Sequence, residues 1–152
     1  AATFYTKERN GFDDPWHGRV WLNPPYGKQE GDSNQQRWTA RLIEQYQDGT
    51  TTEAVCLVNA VPGNLWFAPL WDFPICFVAR RIQFYDPTGA LGQPTHSNVL
   101  VYLPDPNRRD RQFARFVRIF SQFGPVAARL IEDDDQVLIH GIEINDGDSV
   151  PE

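Results

Sequence analysis

The chain has 152 residues, 41% hydrophobic and 13% aromatic, which supplies apolar surface for one globular core and excludes a largely disordered chain. A formal charge of -6 excludes a protein that coats nucleic acid nonspecifically, because that affinity rests on Lys and Arg neutralising phosphates. The charge is unevenly placed: acidic residues gather at 132–135 and 145–152, while Arg108, Arg109, Arg111, Arg115 and Arg118 crowd one segment, so a local basic face remains open.

Residues 1–18 read as irregular, with turn signals at Asn10-Gly11 and Asp13-Asp14-Pro15. A short strand is predicted at 19–22, delivering the run Asn23-Pro24-Pro25-Tyr26-Gly27. Two consecutive prolines have fixed φ and no amide donors, so the strand must leave its sheet there as a stiff extended loop with free carbonyls. An amide side chain (Asn23), a backbone carbonyl (Pro24) and an aromatic ring (Tyr26) then stand together at the carboxyl end of a strand. In open α/β sheets that end is where ligands bind. The polar loop at 27–33 follows directly and is expected to be mobile enough to close on a substrate.

Over 34–47, Trp38, Leu42, Ile43 and Tyr46 fall on one helical face, and Gly49 supplies a stop. The near-continuous apolar run at 53–60 predicts a strand covered on both faces. Strand, helix and buried strand make a βαβ unit with a parallel pair. After the Pro62-Gly63 turn, a short helix is predicted at 64–71 and another buried strand at 73–79. Segments 80–85 and 98–103 read as two strands joined by the turn-rich loop 86–97, an antiparallel excursion at the sheet edge. The clearest helix is 108–123, where Phe113, Phe116, Val117 and Phe120 make one stripe, the arginines lie off it, and Gly124-Pro125 closes it. Final strands are predicted at 126–131 and 136–144. A single domain over 1–144 is expected, with 145–152 a disordered tail.

Cys56 and Cys76 each sit inside an apolar run, so buried reduced thiols in a reducing cytoplasm are expected. No apolar run reaches the roughly 18 residues of a membrane span, and no signal pattern opens the chain, so a soluble protein without membrane contact is expected. The chain has no methionine, even at position 1, and is therefore expected to begin after its natural start. His17, His96 and His140 are widely separated and lie near no paired cysteines or acidic cluster, so no metal site is expected. No Ser-His-Asp or Cys-His arrangement, phosphate loop or carboxylate pair stands out.

An Asn-Pro-Pro-Tyr run after a strand resembles the signature of methyltransferases that modify amino nitrogens conjugated to a planar system: adenine N6 in DNA or RNA, or a glutamine side-chain amide. Such a nitrogen is a poor nucleophile because its lone pair is delocalised. Two acceptors, the Asn23 side-chain oxygen and the Pro24 carbonyl, can hold its two hydrogens so that the lone pair localises. Positioning and electrostatic preorganisation then carry the chemistry without a strong base. Tyr26 would stack on the target, which in a duplex must first be flipped out.

A wider set makes the resemblance more specific. Tyr5-Thr6, Asn10-Gly11-Phe12, Pro15-Trp16, Gly18-Arg19-Val20-Trp21 and the motif itself are similar to the phage-type DNA N6-adenine methyltransferase family. So are Leu57-Val58, Trp66-Phe67, Arg81-Ile82 with Phe84, and the run 97–102. The resemblance implies a Rossmann-like α/β fold and methyl transfer from S-adenosylmethionine to a flipped adenine in DNA. It implies Asn23, Pro24, Pro25 and Tyr26 as the catalytic loop, and Asn10, Gly11 and Phe12 as contacts to the cofactor. Trp66 and Phe67 would line the base pocket, and His96 would lie in a target-contacting loop. It also implies a phage- or mobile-element-encoded protein in a bacterial cytoplasm.

The residues alone leave blander alternatives open: a plain Asn-Gly turn with Phe12 in the core, helix-to-core packing for Trp66 and Phe67, and a solvated His96. The arginine face can equally be solvated, with 132–135 as its counter-charge. No Gly-x-Gly turn occurs in the chain, so the fold is expected to be partial, without its N-terminal cofactor-binding unit. The alternatives in function are methylation of RNA or of a protein glutamine through the same motif, or a catalytically incompetent binding module.

Overall fold

A computed structural model of the chain describes residues 3–6, 9–29, 31–86, 88–93 and 95–129. In chain order it contains β1 (Gly18–Leu22), β2 (Lys28–Gln29), β3 (Asp32–Ser33), α1 (Asn34–Gln47) and β4 (Thr51–Asn59). A 3-10 helix at Leu65–Asp72, β5 (Ile75–Phe77), β6 (Asn98–Leu103), a 3-10 turn at Pro106–Arg108, α2 (Arg109–Phe120) and β7 (Val126–Ala127) follow.

Five strands form one mixed sheet in the order β1-β4-β6-β5-β7. β1 and β4 pair in parallel, as the strand–helix–strand pattern requires, and the pairs β4 with β6, β6 with β5, and β5 with β7 are antiparallel. α1 has the bounds that its apolar stripe predicts, and Gly49 follows it with a φ of 82°.

The alternation of side chains along each strand sorts the core into two layers. Ala54, Cys56 and Val58 of β4 and Val99, Val101 and Leu103 of β6 pack with Leu42 of α1, with Trp16 and with Phe67. On the other face, Leu57, Cys76, Leu100 and Tyr102 pack with Phe116 of α2. Tyr102 and Phe116 stack with centroids 4.9 Å apart and planes 8° apart.

Several expectations are corrected. The run 98–103 is not at the edge of the sheet: every residue of β6 is buried and it lies between β4 and β5. The segment 80–85 forms no strand, only the isolated bridge of Tyr85 with Leu91, since Arg80 and Arg81 are exposed and suit no covered strand. The loop at 27–33 is built as a hairpin of β2 with β3. Asn34 pins its base, donating its backbone N–H to Gly27 O at 3.0 Å and its side-chain amide to Tyr26 O at 3.3 Å. The strand expected at 73–79 is three residues long, and α2 ends at Phe120 in a turn. The predictions at 132–135, 136–144 and 145–152 lie outside the described residues. Among the described residues, no helix is long and apolar enough to cross a membrane.

The strand directions decide what meets at the functional end. β1, β4 and β5 run the same way, so their carboxyl ends lie together, and β6 runs against them, so its first residue, Asn98, joins that end. Asn23–Tyr26 leave the sheet there.

Candidate functional site

Pro24 is fully buried, and it anchors the loop while Asn23 and Pro25 on either side remain exposed. Tyr26 is 43% exposed. Its ring has Phe84 at an edge-on 5.9 Å and His96 stacked at 6.4 Å with an interplanar angle of 23°. Its hydroxyl accepts from the Asn98 side-chain amide at 3.3 Å. Asn98 is only 2% exposed, and the same amide nitrogen lies 3.4 Å from Asn59 Oδ1 and 3.5 Å from Val58 O. Asn59 faces Asn98 across the β4–β6 ladder, and its backbone N–H donates to the buried Gln35 Oε1 at 2.9 Å. A buried polar side chain persists only where it is hydrogen-bonded, and this amide group satisfies that condition while bracing the tyrosine from behind. Among the described residues, no hydrogen bond uses the Pro24 carbonyl, which stays available as an acceptor beside the exposed Asn23.

The predicted contacts therefore divide. Tyr26 and His96, seventy residues apart, come together with Phe84 between the strands that carry them. Phe67 is fully buried in the core, edge-on to Trp66 at 5.8 Å, so it packs the domain and presents no surface to a ligand; Trp66 is half-buried.

Asn10, Gly11 and Phe12 build a turn seated on α1. The Asn10 side chain accepts from Phe12 N at 3.2 Å and donates to Asp13 Oδ1 at 3.0 Å. Gly11 O accepts from the Trp16 indole at 2.6 Å, and a Cβ on Gly11 would stand 2.8 Å from the Trp38 ring. The Phe12 ring meets Trp38 edge-on at 4.7 Å, with the Arg37 and Arg41 guanidiniums 5.4 and 5.1 Å from its centroid. These residues are engaged with one another and with α1, and they leave no open slot for a purine ring.

Cys56 and Cys76 are free and buried, and burial pushes both thiols up from their ordinary pKa. Among the described residues, no group of His, Cys, Asp and Glu could hold a metal ion.

Sequence reasoning missed Asn98, Asn59 and Gln35. The available signal was polarity at the margins of apolar runs: Asn59 ends the run 54–58, and Asn98 opens the run 99–103. Only the antiparallel pairing of β4 with β6 joins them.

The fold and site define a small α/β protein with a rigid amide–proline–aromatic loop at the carboxyl ends of its strands, the class of arrangement that holds a planar ligand by its polar edge. The chain belongs to the DNA N-6-adenine-methyltransferase (Dam) family, whose sequence profile matches residues 1–107. No curated protein and no solved structure matches it. The family match ends before α2, so the arginine-rich helix lies outside it.

Proposed function

We propose that the carboxyl end of β1 is the acceptor site of a DNA adenine N6-methyltransferase with a Rossmann-like domain. The observation that carries this reading is the Tyr26 ring, braced by Asn98 and flanked by Phe84 and His96, next to the acceptors of Asn23 and Pro24. A flipped adenine stacks on the exposed part of Tyr26. Its exocyclic amine donates one hydrogen to the Asn23 side-chain oxygen and the other to the Pro24 carbonyl. The buried Pro24 and the fixed φ of Pro25 set these acceptors in advance, so little ordering remains to be done when the base arrives. Trp66 borders the pocket and Phe67 supports it from the core, while His96 closes the side opposite Phe84. No cation or general base is needed for the holding step. Extruding the base costs a few kcal/mol, which stacking on an aromatic ring offsets at about 1–3 kcal/mol per base.

Family membership implies S-adenosylmethionine as methyl donor, which when bound supplies an electrophilic methyl group. Asn10, Gly11 and Phe12 do not fit its adenine ring in the arrangement described, so their role here is to seat the N-terminal turn on α1.

Binding of short single strands tests the acceptor site without a donor. The 152-residue chain is expected to prefer a strand with adenine over one with purine at the same position, because only adenine carries the amine. Asn23→Ala should erase the preference, roughly 2- to 12-fold for one hydrogen bond, while leaving the fold intact. Equal binding of adenine and purine strands by the native chain would overturn the reading. Label transfer to protein but to no nucleic acid would assign the motif to a glutamine amide instead.

A further inference from the structure

The segment from Phe84 to Gly92 has a construction that the acceptor site does not explain. It is a braced prong, although its sequence reads as a plain turn-rich loop. Gly92 N–H donates to Phe84 O at 2.8 Å and Asp86 N–H to Ala90 O at 2.9 Å. Asp86 Oδ1 accepts from Thr88 N at 2.8 Å, Thr88 Oγ1 at 2.6 Å and Ala90 N at 3.0 Å, so the one carboxylate of the prong is turned into its own turn. On this frame Tyr85 and Leu91 face each other across a β-bridge, 72% and 54% exposed. A stiff frame that holds an apolar cross-strand pair out in water has not buried it against its own domain, although Phe84 beside it does pack inward.

Position decides what the pair fits. The prong is continuous with the acceptor site: Phe84 is in edge contact with Tyr26, and the loop returns through His96, which stacks on the same ring. The flanking charge is positive, from exposed Arg80 and Arg81 just before the prong and exposed Lys28 just after the motif. An apolar tip bordered by cations suits a nucleic-acid duplex, whose stacked bases take apolar wedges while its phosphates take the charge. We propose that Tyr85 and Leu91 form a wedge that enters the DNA base stack and fills the space vacated when the target adenine moves to Tyr26. The inference rests on the acceptor-site reading. It adds a part for the chain in opening the duplex, beyond holding the extruded base.

A duplex with one abasic position already contains the space the wedge fills. Fluorescence anisotropy with labelled duplexes, intact or carrying one abasic site, and with a single strand containing adenine tests the assignment. The native chain is expected to bind the abasic duplex on the order of tenfold more tightly than the intact one, the size of effect apolar insertion between base steps allows. The double variant Tyr85→Ser and Leu91→Ser should bind the two duplexes alike and keep the native affinity for the single strand. Both residues are exposed, so folding is not at stake, and an unchanged circular dichroism spectrum confirms that. Retained abasic preference in the double variant overturns the wedge while the acceptor site stands. Equal loss on single strand and duplex overturns it too, because the pair would then be touching the held base. A native chain that binds none of the three overturns both readings.

Discussion

At Tyr26 the ring and the hydroxyl have separable tasks. The ring offers the stacking face, and the hydroxyl ties that face to the sheet through a 3.3 Å hydrogen bond from Asn98. Tyr26→Ala removes the face and is expected to weaken adenine-strand binding by about 1–3 kcal/mol. Tyr26→Phe keeps it, and Asn98 retains Asn59 Oδ1 and Val58 O within reach, so its amide is not orphaned. The expected loss is therefore about 1 kcal/mol or less, the net worth of one neutral hydrogen bond. Titration of an adenine strand against both variants checks the order, and a Phe variant as weak as Ala would make the hydroxyl the dominant group. Asn98→Asp is a harsher change than either. It points a carboxylate at two acceptor oxygens inside the sheet, and should lower the thermal midpoint measurably even with no ligand present.

Elements explain why one part of this site was legible in the sequence and another was not. Asn23–Tyr26 could be placed because their neighbours are local: a strand ends in two prolines, and α1 has a 3.6-residue stripe that fixes its bounds. β6 was misplaced because its neighbours are not local. Its continuous apolar run Val99–Leu103 carries the mark of a strand buried on both faces, but the turn-rich loop before it mimics a simple hairpin. Strand order is set by which faces α1 and α2 cover, and no spacing along the chain records that. The same placement governs a pH response. Burial, then the 2.7 Å hydrogen bond to Glu53 Oε1, raises the Tyr102 hydroxyl above its ordinary pKa. A raised pKa means that the unfolded chain ionises first. Stability from this group is therefore complete below about pH 10 and is lost as pH rises beyond it. Urea midpoints at about pH 8 and pH 11 should show the fall, and Tyr102→Phe should flatten it while costing about 1 kcal/mol at neutral pH.

The two faces of the sheet are covered unequally, and the two cysteines report on them separately. Cys56 lies on β4, which has paired strands on both sides, and its thiol faces the α1 layer with Leu42, Phe67 and Leu70. Cys76 lies on β5, whose outer neighbour is the two-residue β7, and its thiol is under α2. α2 has one buried residue, Phe116, and its connection to the sheet continues through Gly124, where a Cβ would run into Phe77 O. The α2 layer is thus the thinner lid, and local opening follows the number of buried apolar anchors that must be released. In low urea, a thiol reagent is expected to label Cys76 before Cys56, and neither without denaturant at neutral pH, since burial raises both thiols and shields them. Phe116→Ala removes the lid's anchor at about 3–5 kcal/mol, and should speed Cys76 labelling far more than Cys56 labelling. Equal rates at both positions in that variant would mean that the layers open only together, as one cooperative unit. The acceptor site would then lose its order with α2. Under separate opening, the sheet, α1 and the amide brace behind Tyr26 stay folded while α2 comes away, and adenine-strand binding should survive urea concentrations that already expose Cys76.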